Sequence, residues 1–359
     1  MLSLLNTTFT NAVRKGFSLV SSLLNKLKQR VAADGGTFEN EACTKAILND
    51  LNNKELLSKA TLLTTATAYN FRKIYSIKPS GLGDGDFEFN RGSLGTRVNS
   101  AGYIDSTLAN AQPRIDYLNG CGSILLEPAR TNVQTRSEEF DNSVWSKNRS
   151  SITPNQITSP DGSSLADRIE CGINGNLTPI FDYINITNGE YYTFSVFAKK
   201  GEIDKFIISG QENLLTNVSF NLTTGTIIST SGSGYVDSTI EEFSNGWYRC
   251  SVTALANGTR LGRFILYAGI SGNEPNLGDG IYYFGAQQEQ KSFATSYIST
   301  QGATSTRIAE TCTNSGSAQD FNDSEGVLMA EISALDNSEV AVRTISIINS
   351  CSEALSHSK

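Results

Sequence analysis

The chain has 359 residues, of which 38% are hydrophobic, and a formal net charge of −7 at neutral pH. Its one histidine, His357, lies close to the last residue, which removes histidine-based triads and acid–base pairs from the body of the chain. An enzyme built on this sequence would depend on carboxylates alone. The six cysteines are scattered singly, so we expect reduced thiols and neither a zinc site nor a redox motif.

The first 33 residues have helical composition, with apolar residues recurring at spacings of three and four: Phe17, Val20, Leu24, Leu27 and Val31. No acidic residue occurs before Asp34, and the basic residues lie mostly off the apolar stripe. The pattern predicts an amphipathic helix that assembles a homotrimer through a coiled-coil seam. A membrane-surface helix, an uncleaved targeting segment and a helix folded onto its own chain are the alternatives.

A second helical region is predicted over residues 42–60, with Thr37 or Asn40 as its N-cap and a break near Asn52. From Ala68 onward, residues that alternate between apolar and polar replace the helical spacing. No stretch approaches the ~20 consecutive apolar residues of a membrane span, so we expect no stable membrane insertion. The acidic balance of the rest of the chain makes nucleic acid an unsuitable partner.

Short strands recur between residues 132 and 300, each bounded by Gly, Asn or Asp turns at the spacing of a β-sandwich or jelly roll. We predict strands at 192–198, 205–209, 218–222, 247–254, 264–268 and 281–286. Two more, at 326–332 and 340–348, suggest the opening of another sheet.

The predicted fold class is therefore mainly β, with N-terminal helices, a jelly-roll or β-sandwich module, and the start of a second sheet that is cut short. Four segments are predicted: a helical anchor and oligomerisation region (1–67), a connecting β-rich module (68–131), the sandwich (132–300), and a linker with a partial β-domain (301–359).

Three stretches, 91–102, 113–117 and 125–132, resemble a module of bacteriophage tail-fibre and virion structural proteins that precedes a carbohydrate-binding-module-like jelly roll. Further matching segments follow in order: 137–140, Trp145, 159–162, 194–199, 220–225, 245–249, 285–287 and 295–298. The resemblance implies a fibre or adhesin subunit of a virion, in contact with other virion proteins and with host-surface glycan. It also implies that a concanavalin-like or laminin-G-like sandwich follows, which the strands after residue 326 would begin.

Trp145 and Trp247 are the candidate glycan-binding residues, because an aromatic ring stacks on the C–H face of a pyranose. The competing interpretation places both rings in the sandwich core, with Trp247, Arg249 and Ser251 on one strand face. Relatives of this type often hold a structural calcium ion near the entry and exit of the sandwich. For such an ion the candidate ligands here are Asp279, Gln287 and Glu289.

Glu138, Glu139 and Asp141 are the acidic residues that most resemble a glycosidase pair, which needs two carboxylates at a fixed separation. Nothing in their spacing sets that separation, and a solvated turn is the favoured interpretation. We therefore expect no enzymatic activity. A virion-associated polysaccharide depolymerase and a secreted bacterial glycan-binding protein are the alternative functions.

Overall fold

The computed structural model describes residues 19–79, 85–118, 120–317, 320 and 328. The chain divides into two units, which we call the helical unit (Met1–Phe89 with Cys312–Lys359) and the sandwich unit (Asn90–Thr311). The described chain is mainly β, which confirms the predicted fold class, while the strands predicted after residue 326 lie outside the described residues. No helix among the described residues has both the length and the apolar character needed to cross a membrane.

The elements, in chain order, are α1 (residues 19–33), β1 (Thr37–Phe38), α2 (Glu41–Asn53), β2 (Leu63–Asn70), β3 (Lys73–Ile77), β4 (Phe87–Asn90), β5 (Gly95–Val98), β6 (Ile104–Leu108), β7 (Ile115–Asp116), β8 (Ser123–Ile124), β9 (Arg130–Asn132), β10 (Ser146–Lys147), β11 (Ser150–Thr158), β12 (Leu165–Cys171), β13 (Thr178–Ile186), β14 (Tyr191–Lys200), β15 (Lys205–Gln211), β16 (Thr216–Asn221), β17 (Thr226–Ser231), β18 (Tyr235–Phe243), a 3-10 turn (Ser244–Gly246), β19 (Trp247–Leu255), β20 (Arg260–Ala268), β21 (Gly280–Glu289), β22 (Ser305–Arg307) and β23 (Thr311–Thr313).

The helical unit contains α1, α2 and a five-stranded sheet in the order β1-β2-β3-β4-β23. Asn40 caps α2, as predicted, because its Oδ1 accepts a hydrogen bond of 3.2 Å from the backbone N–H of Cys43. The helix ends at Asn53 and is followed by turns, so one helix replaces the two short helices expected over residues 42–60.

The apolar stripe of α1 packs inside its own chain. Val20, Leu24, Leu27 and Val31 are at most 5% exposed and share a core with residues of α2 and the sheet: Leu48, Leu51, Ala68, Tyr75 and Ile77. The predicted coiled-coil seam is therefore wrong for these four residues, since a side chain buried within one chain is not available to another. Phe17, the first residue of the predicted seam, lies outside the described residues.

The sandwich unit is built from two six-stranded sheets. We call them the front sheet, with order β10-β13-β20-β15-β16-β17, and the back sheet, with order β11-β12-β21-β14-β19-β18. All neighbouring strands in both sheets are antiparallel. The six strands predicted from the sequence are all confirmed, as β14, β15, β16, β19, β20 and β21.

The two sheets bury alternate residues against each other. In β14, Phe194 and Val196 point into the core, while Ser195 lies on the opposite face of the strand. The rings of Phe194 in the back sheet and Phe264 in the front sheet stack at 5.5 Å between centroids. Burying each such side chain stabilises the fold by roughly 1.5–3 kcal/mol, so this core holds the sheets together.

The segment that precedes the sandwich covers the outer face of the back sheet. Val98 and Ile104 pack there with Phe197, Trp247 and Tyr297 in a second apolar cluster. Residues 90–131 belong to the sandwich unit and residues 68–89 to the helical unit, whereas the sequence analysis assigned all of residues 68–131 to one connecting module.

Among the cysteines, Cys171, Cys250 and Cys312 are free thiols. Cys43 and Cys121 are disulfide-bonded, which corrects the expectation that all the cysteines are reduced.

Candidate ligand-binding face

The outer face of the front sheet carries aromatic and polar side chains in a row across three strands. In β13, Ile180 and Ile184 face the core, so the alternation turns Phe181 and Tyr183 outward. Tyr183 pairs in register with Arg263 of β20, and Arg263 pairs with Gln211 of β15. Antiparallel pairing therefore brings together three residues that are far apart in the sequence.

Arg263 holds this row in place. Its Nη1 donates to the Tyr183 hydroxyl at 2.7 Å, and its Nη2 donates to Oε1 of Gln211 at 2.8 Å. The guanidinium carbon lies 4.6 Å from the centre of the Phe181 ring and 5.2 Å from that of Tyr183. Such cation–π contacts add roughly 0.5–2 kcal/mol each and fix the rings relative to the charge.

The row continues to Tyr267, whose hydroxyl accepts a hydrogen bond of 3.2 Å from Nε2 of Gln211. The rings of Phe181 and Tyr183 meet edge to face, with centroids 5.6 Å apart. We call the set Phe181, Tyr183, Gln211, Arg263 and Tyr267 the arginine–aromatic face. Tyr183 is its most accessible member at 43% exposed, while the other four are partly buried.

The arginine–aromatic face offers two kinds of contact to a ligand. The exposed ring of Tyr183 provides an apolar surface on which a sugar ring can stack. Beside it lie a guanidinium, an amide and two phenol hydroxyls, which suit the hydroxyl groups of a saccharide. Glu212 is the nearby counter-charge, with Oε1 lying 3.5 Å from Nη2 of Arg263.

The structure places the two tryptophans away from any such surface. Trp145 is 2% exposed in the core between the sheets and donates through Nε1 to the backbone oxygen of Arg136 at 2.9 Å. Trp247 is fully buried under the residues that cover the back sheet and donates to the backbone oxygen of Thr158 at 3.2 Å. Neither ring has a free face in this structure, so the glycan platform predicted at these residues is replaced by a role in packing.

The proposed calcium ligands do not converge. Asp279 immediately precedes β21 and its Oδ2 accepts from the backbone N–H of Asn276 at 2.8 Å. Gln287 and Glu289 lie at the other end of the strand, about 26 and about 33 Å from Asp279 at ~3.3 Å per residue. There the two side chains form a hydrogen bond, in which Nε2 of Gln287 donates to Oε2 of Glu289 at 2.7 Å. These three residues do not fit one ion, and no other group of three metal-ligating side chains forms within the described ranges.

The acidic residues near the start of the sandwich have structural partners. Oε1 of Glu138 accepts from the hydroxyls of Tyr297 at 2.7 Å and Ser299 at 2.9 Å. Glu139 forms an ion pair of 2.7 Å with Arg136. Glu138 therefore links the start of the sandwich to its end, and Glu139 forms a local ion pair at its start.

The motifs that carry the family resemblance meet in a buried ionic cluster. Glu310 accepts from Nη1 of Arg91 at 2.9 Å and from Nε of Arg114 at 2.6 Å. Glu127 lies 2.8 Å from Nη1 of Arg114 and 3.3 Å from Nη1 of Arg307. All five side chains are at most 2% exposed. These five residues therefore stabilise the fold and present no surface to a ligand.

Glu127 remains ionised despite its burial. Removal from water by itself raises the pKa of this carboxyl. The charges of Arg307 and Arg114 and the hydrogen bonds from Ser296 outweigh that effect and lower the pKa to about 2. The cluster is therefore held by charge at neutral pH.

No protein-family model matches the chain, and a search of curated proteins finds no match. Among solved structures, the enzymatically active domain of tailspike protein 4 from bacteriophage CBA120 is similar at 14% identity and a TM-score of 0.29, over 44% of this chain and 21% of that chain. The CBM22-1 and GH10 modules of xylanase 10B from Clostridium thermocellum are similar at 10% identity and a TM-score of 0.28, over 48% of this chain and 30% of that chain.

The CBM22-1 xylan-binding domain of Xyn10C from Paenibacillus barcinonensis is similar at 7% identity and a TM-score of 0.26, over 45% of this chain and 93% of that chain. The chain thus spans less than a third of the first two structures. Scores of this size assign no family and carry no functional argument.

Proposed function

We propose that this chain is a saccharide-binding adhesin module that holds its ligand on the arginine–aromatic face. The observation that carries the proposal is the clamped ring of Tyr183, which is 43% exposed while its hydroxyl is fixed by Arg263 at 2.7 Å. An exposed aromatic ring that is already held in one orientation loses little freedom when a ligand stacks on it. The polar groups of Gln211 and Arg263 then lie beside the stacked sugar.

Binding without cleavage is part of this proposal. Two described acidic residues border the face: Glu212, an ion-pair partner of Arg263, and Asp182, which lies between Phe181 and Tyr183 in β13. Asp182 accepts a hydrogen bond of 3.2 Å from Gln134, on the core side of its strand. Glycoside hydrolysis needs two carboxylates that face each other across the bound sugar, and this face has a ring and a cation in that position.

We further propose that the module is carried on a virion as a fibre or adhesin subunit and is presented as a trimer. The support is the ordered series of sequence segments, from 91–102 to 295–298, that resembles phage fibre proteins. A shallow open face binds a saccharide weakly, and presentation in three copies raises the apparent affinity without any new contact. Since α1 is packed in its own chain, the trimer contacts proposed here lie outside its four buried stripe residues.

A glycan array tests the binding proposal. The full chain is expected to retain a subset of saccharides, and Tyr183→Ala is expected to lose them because the stacking surface is gone. Tyr191→Ala is the matched control, since Tyr191 is 40% exposed and lies on a strand of the back sheet. Retention of the same saccharides by Tyr183→Ala would contradict the proposal.

Two measurements test the virion assignment. Sedimentation of the full chain is expected to give a trimer, and mass spectrometry of purified particles is expected to find the chain among their proteins. A monomer at micromolar concentration would reject the trimer, and absence from the particles would reject the virion role.

A further inference from the structure

We propose that the arginine–aromatic face selects saccharides that carry a carboxylate, such as hexuronic acids, over their neutral counterparts. The proposal rests on the saccharide-binding function above and names the ligand class. The observation behind it is the incomplete neutralisation of Arg263, which lies in the centre of the face.

The groups that fix Arg263 are neutral. Tyr183 and Gln211 accept hydrogen bonds from the two terminal nitrogens but bring no negative charge. The Nε–H is buried and has no acceptor among the described residues. The cation is thus oriented by neutral neighbours, and among the described residues only Glu212 offsets its charge.

Among the described residues, Glu212 is the carboxylate that pairs with Arg263, and the pair is weak. Glu212 lies 3.5 Å from Nη2, and its side chain is 51% exposed, whereas that of Arg263 is 18% exposed. Ion pairs with this degree of solvent exposure contribute little to stability, because water screens the attraction between the two charges. A carboxylate on a bound ligand can therefore take the place of Glu212 beside Nη2 of Arg263.

A hexuronic acid fits both halves of the face. Its ring presents C–H groups that stack on Tyr183, and its carboxylate lies at the ring edge, where it can reach the guanidinium as a charge-assisted hydrogen-bond acceptor. A neutral sugar keeps the stacking contact and gains nothing from the charge. The face should therefore discriminate between an acid and its reduced form of the same ring shape.

The test compares acidic oligosaccharides with carboxyl-reduced versions of the same oligosaccharides, using the full chain. We expect the acidic form to bind about tenfold more tightly, in line with a charge-assisted contact, and this preference to shrink as salt is raised. Arg263→Gln should bind both forms alike. Arg260→Gln, an exposed arginine at the start of the same strand, should keep the preference.

Glu212→Gln provides an independent variant that leaves Arg263 in place. Removing the competing carboxylate should tighten binding of the acidic form and leave the neutral form unchanged. Equal binding of acidic and neutral forms by the unmutated chain would overturn this inference and leave the proposed function standing. Binding of no saccharide at all would overturn the proposed function and this inference with it.

Discussion

Arg114 and Glu310 are 196 positions apart in the sequence, yet Nε of the arginine lies 2.6 Å from Oε1 of the glutamate. Both side chains are fully buried, and Glu310 also accepts from Arg91. This pair joins the segment that covers the back sheet to the segment that leaves the sandwich. The two segments are therefore expected to unfold together.

Glu310→Gln should destabilise the sandwich unit strongly. The substitution leaves two buried guanidinium groups without their shared counter-charge, which costs roughly 3–5 kcal/mol. Denaturant unfolding followed by tryptophan fluorescence measures the loss, since Trp145 and Trp247 both lie in this unit. Glu139→Gln is the matched control and should cost less than about 1 kcal/mol, because its ion pair is partly exposed. Equal stabilities for the two variants would show that the buried cluster is not held by charge.

Acid should weaken the same cluster through Glu127. Its folded pKa of about 2 lies below the ordinary value of 4.5, so its contribution is fully present above pH 4.5 and is lost as the pH falls toward 2. A shift of this size corresponds to on the order of 3 kcal/mol. Unfolding free energies measured from pH 6 to pH 2 should fall accordingly, and Glu127→Gln should show a correspondingly shallower fall. Parallel pH curves for the two proteins would refute the assignment to Glu127.

The apolar stripe of α1 should determine the stability of the helical unit. Leu24→Ala removes a side chain that is packed in its own chain, and such truncations cost roughly 2–5 kcal/mol. Asn25→Ala, at an exposed neighbouring position, should have little effect. Hydrogen exchange of the α1 amides is the measurement: it should become faster in Leu24→Ala and stay unchanged in Asn25→Ala. If Leu24→Ala instead lowered the sedimentation coefficient without loosening α1, the apolar stripe would be a coiled-coil contact between chains.

Long incubation with host capsular polysaccharide should leave the polymer at its original size. Of the three acidic residues that most resemble a glycosidase pair, Glu138 is engaged by Tyr297 and Glu139 by Arg136, and Asp141 is an exposed turn residue. Size-exclusion chromatography of the polysaccharide is the measurement. Release of oligosaccharides that stops in Glu139→Gln would establish the depolymerase alternative.

Much of the fold could be predicted from local patterns. The alternation of apolar and polar residues predicted central strands such as β14 and β19, and Asn40 indicated the start of α2. The same pattern placed Trp247, Arg249 and Ser251 on one strand face. It could not show that a preceding segment would cover that face, because burial there depends on contacts distant in sequence.

The candidate site was missed for the same reason. The spacing of Phe181 and Tyr183 on a strand indicates one shared face, but β13 was not predicted, since Asp182 and Pro179 interrupt its apolar pattern. Arg263 and Gln211 join the two aromatics only through the pairing of β13 with β20 and of β20 with β15. Pairing between strands about 50 to 80 residues apart leaves no local signal in one sequence.

The most direct test of the central claim is a calorimetric titration of a saccharide retained on the array into the unmutated chain, Tyr183→Ala and Tyr191→Ala. We expect Tyr183→Ala to weaken binding at least tenfold, because the exposed ring is the stacking surface, and Tyr191→Ala to bind as the unmutated chain does. Circular dichroism should show all three proteins folded. Equal affinities for all three would contradict the assignment of the arginine–aromatic face as the binding site.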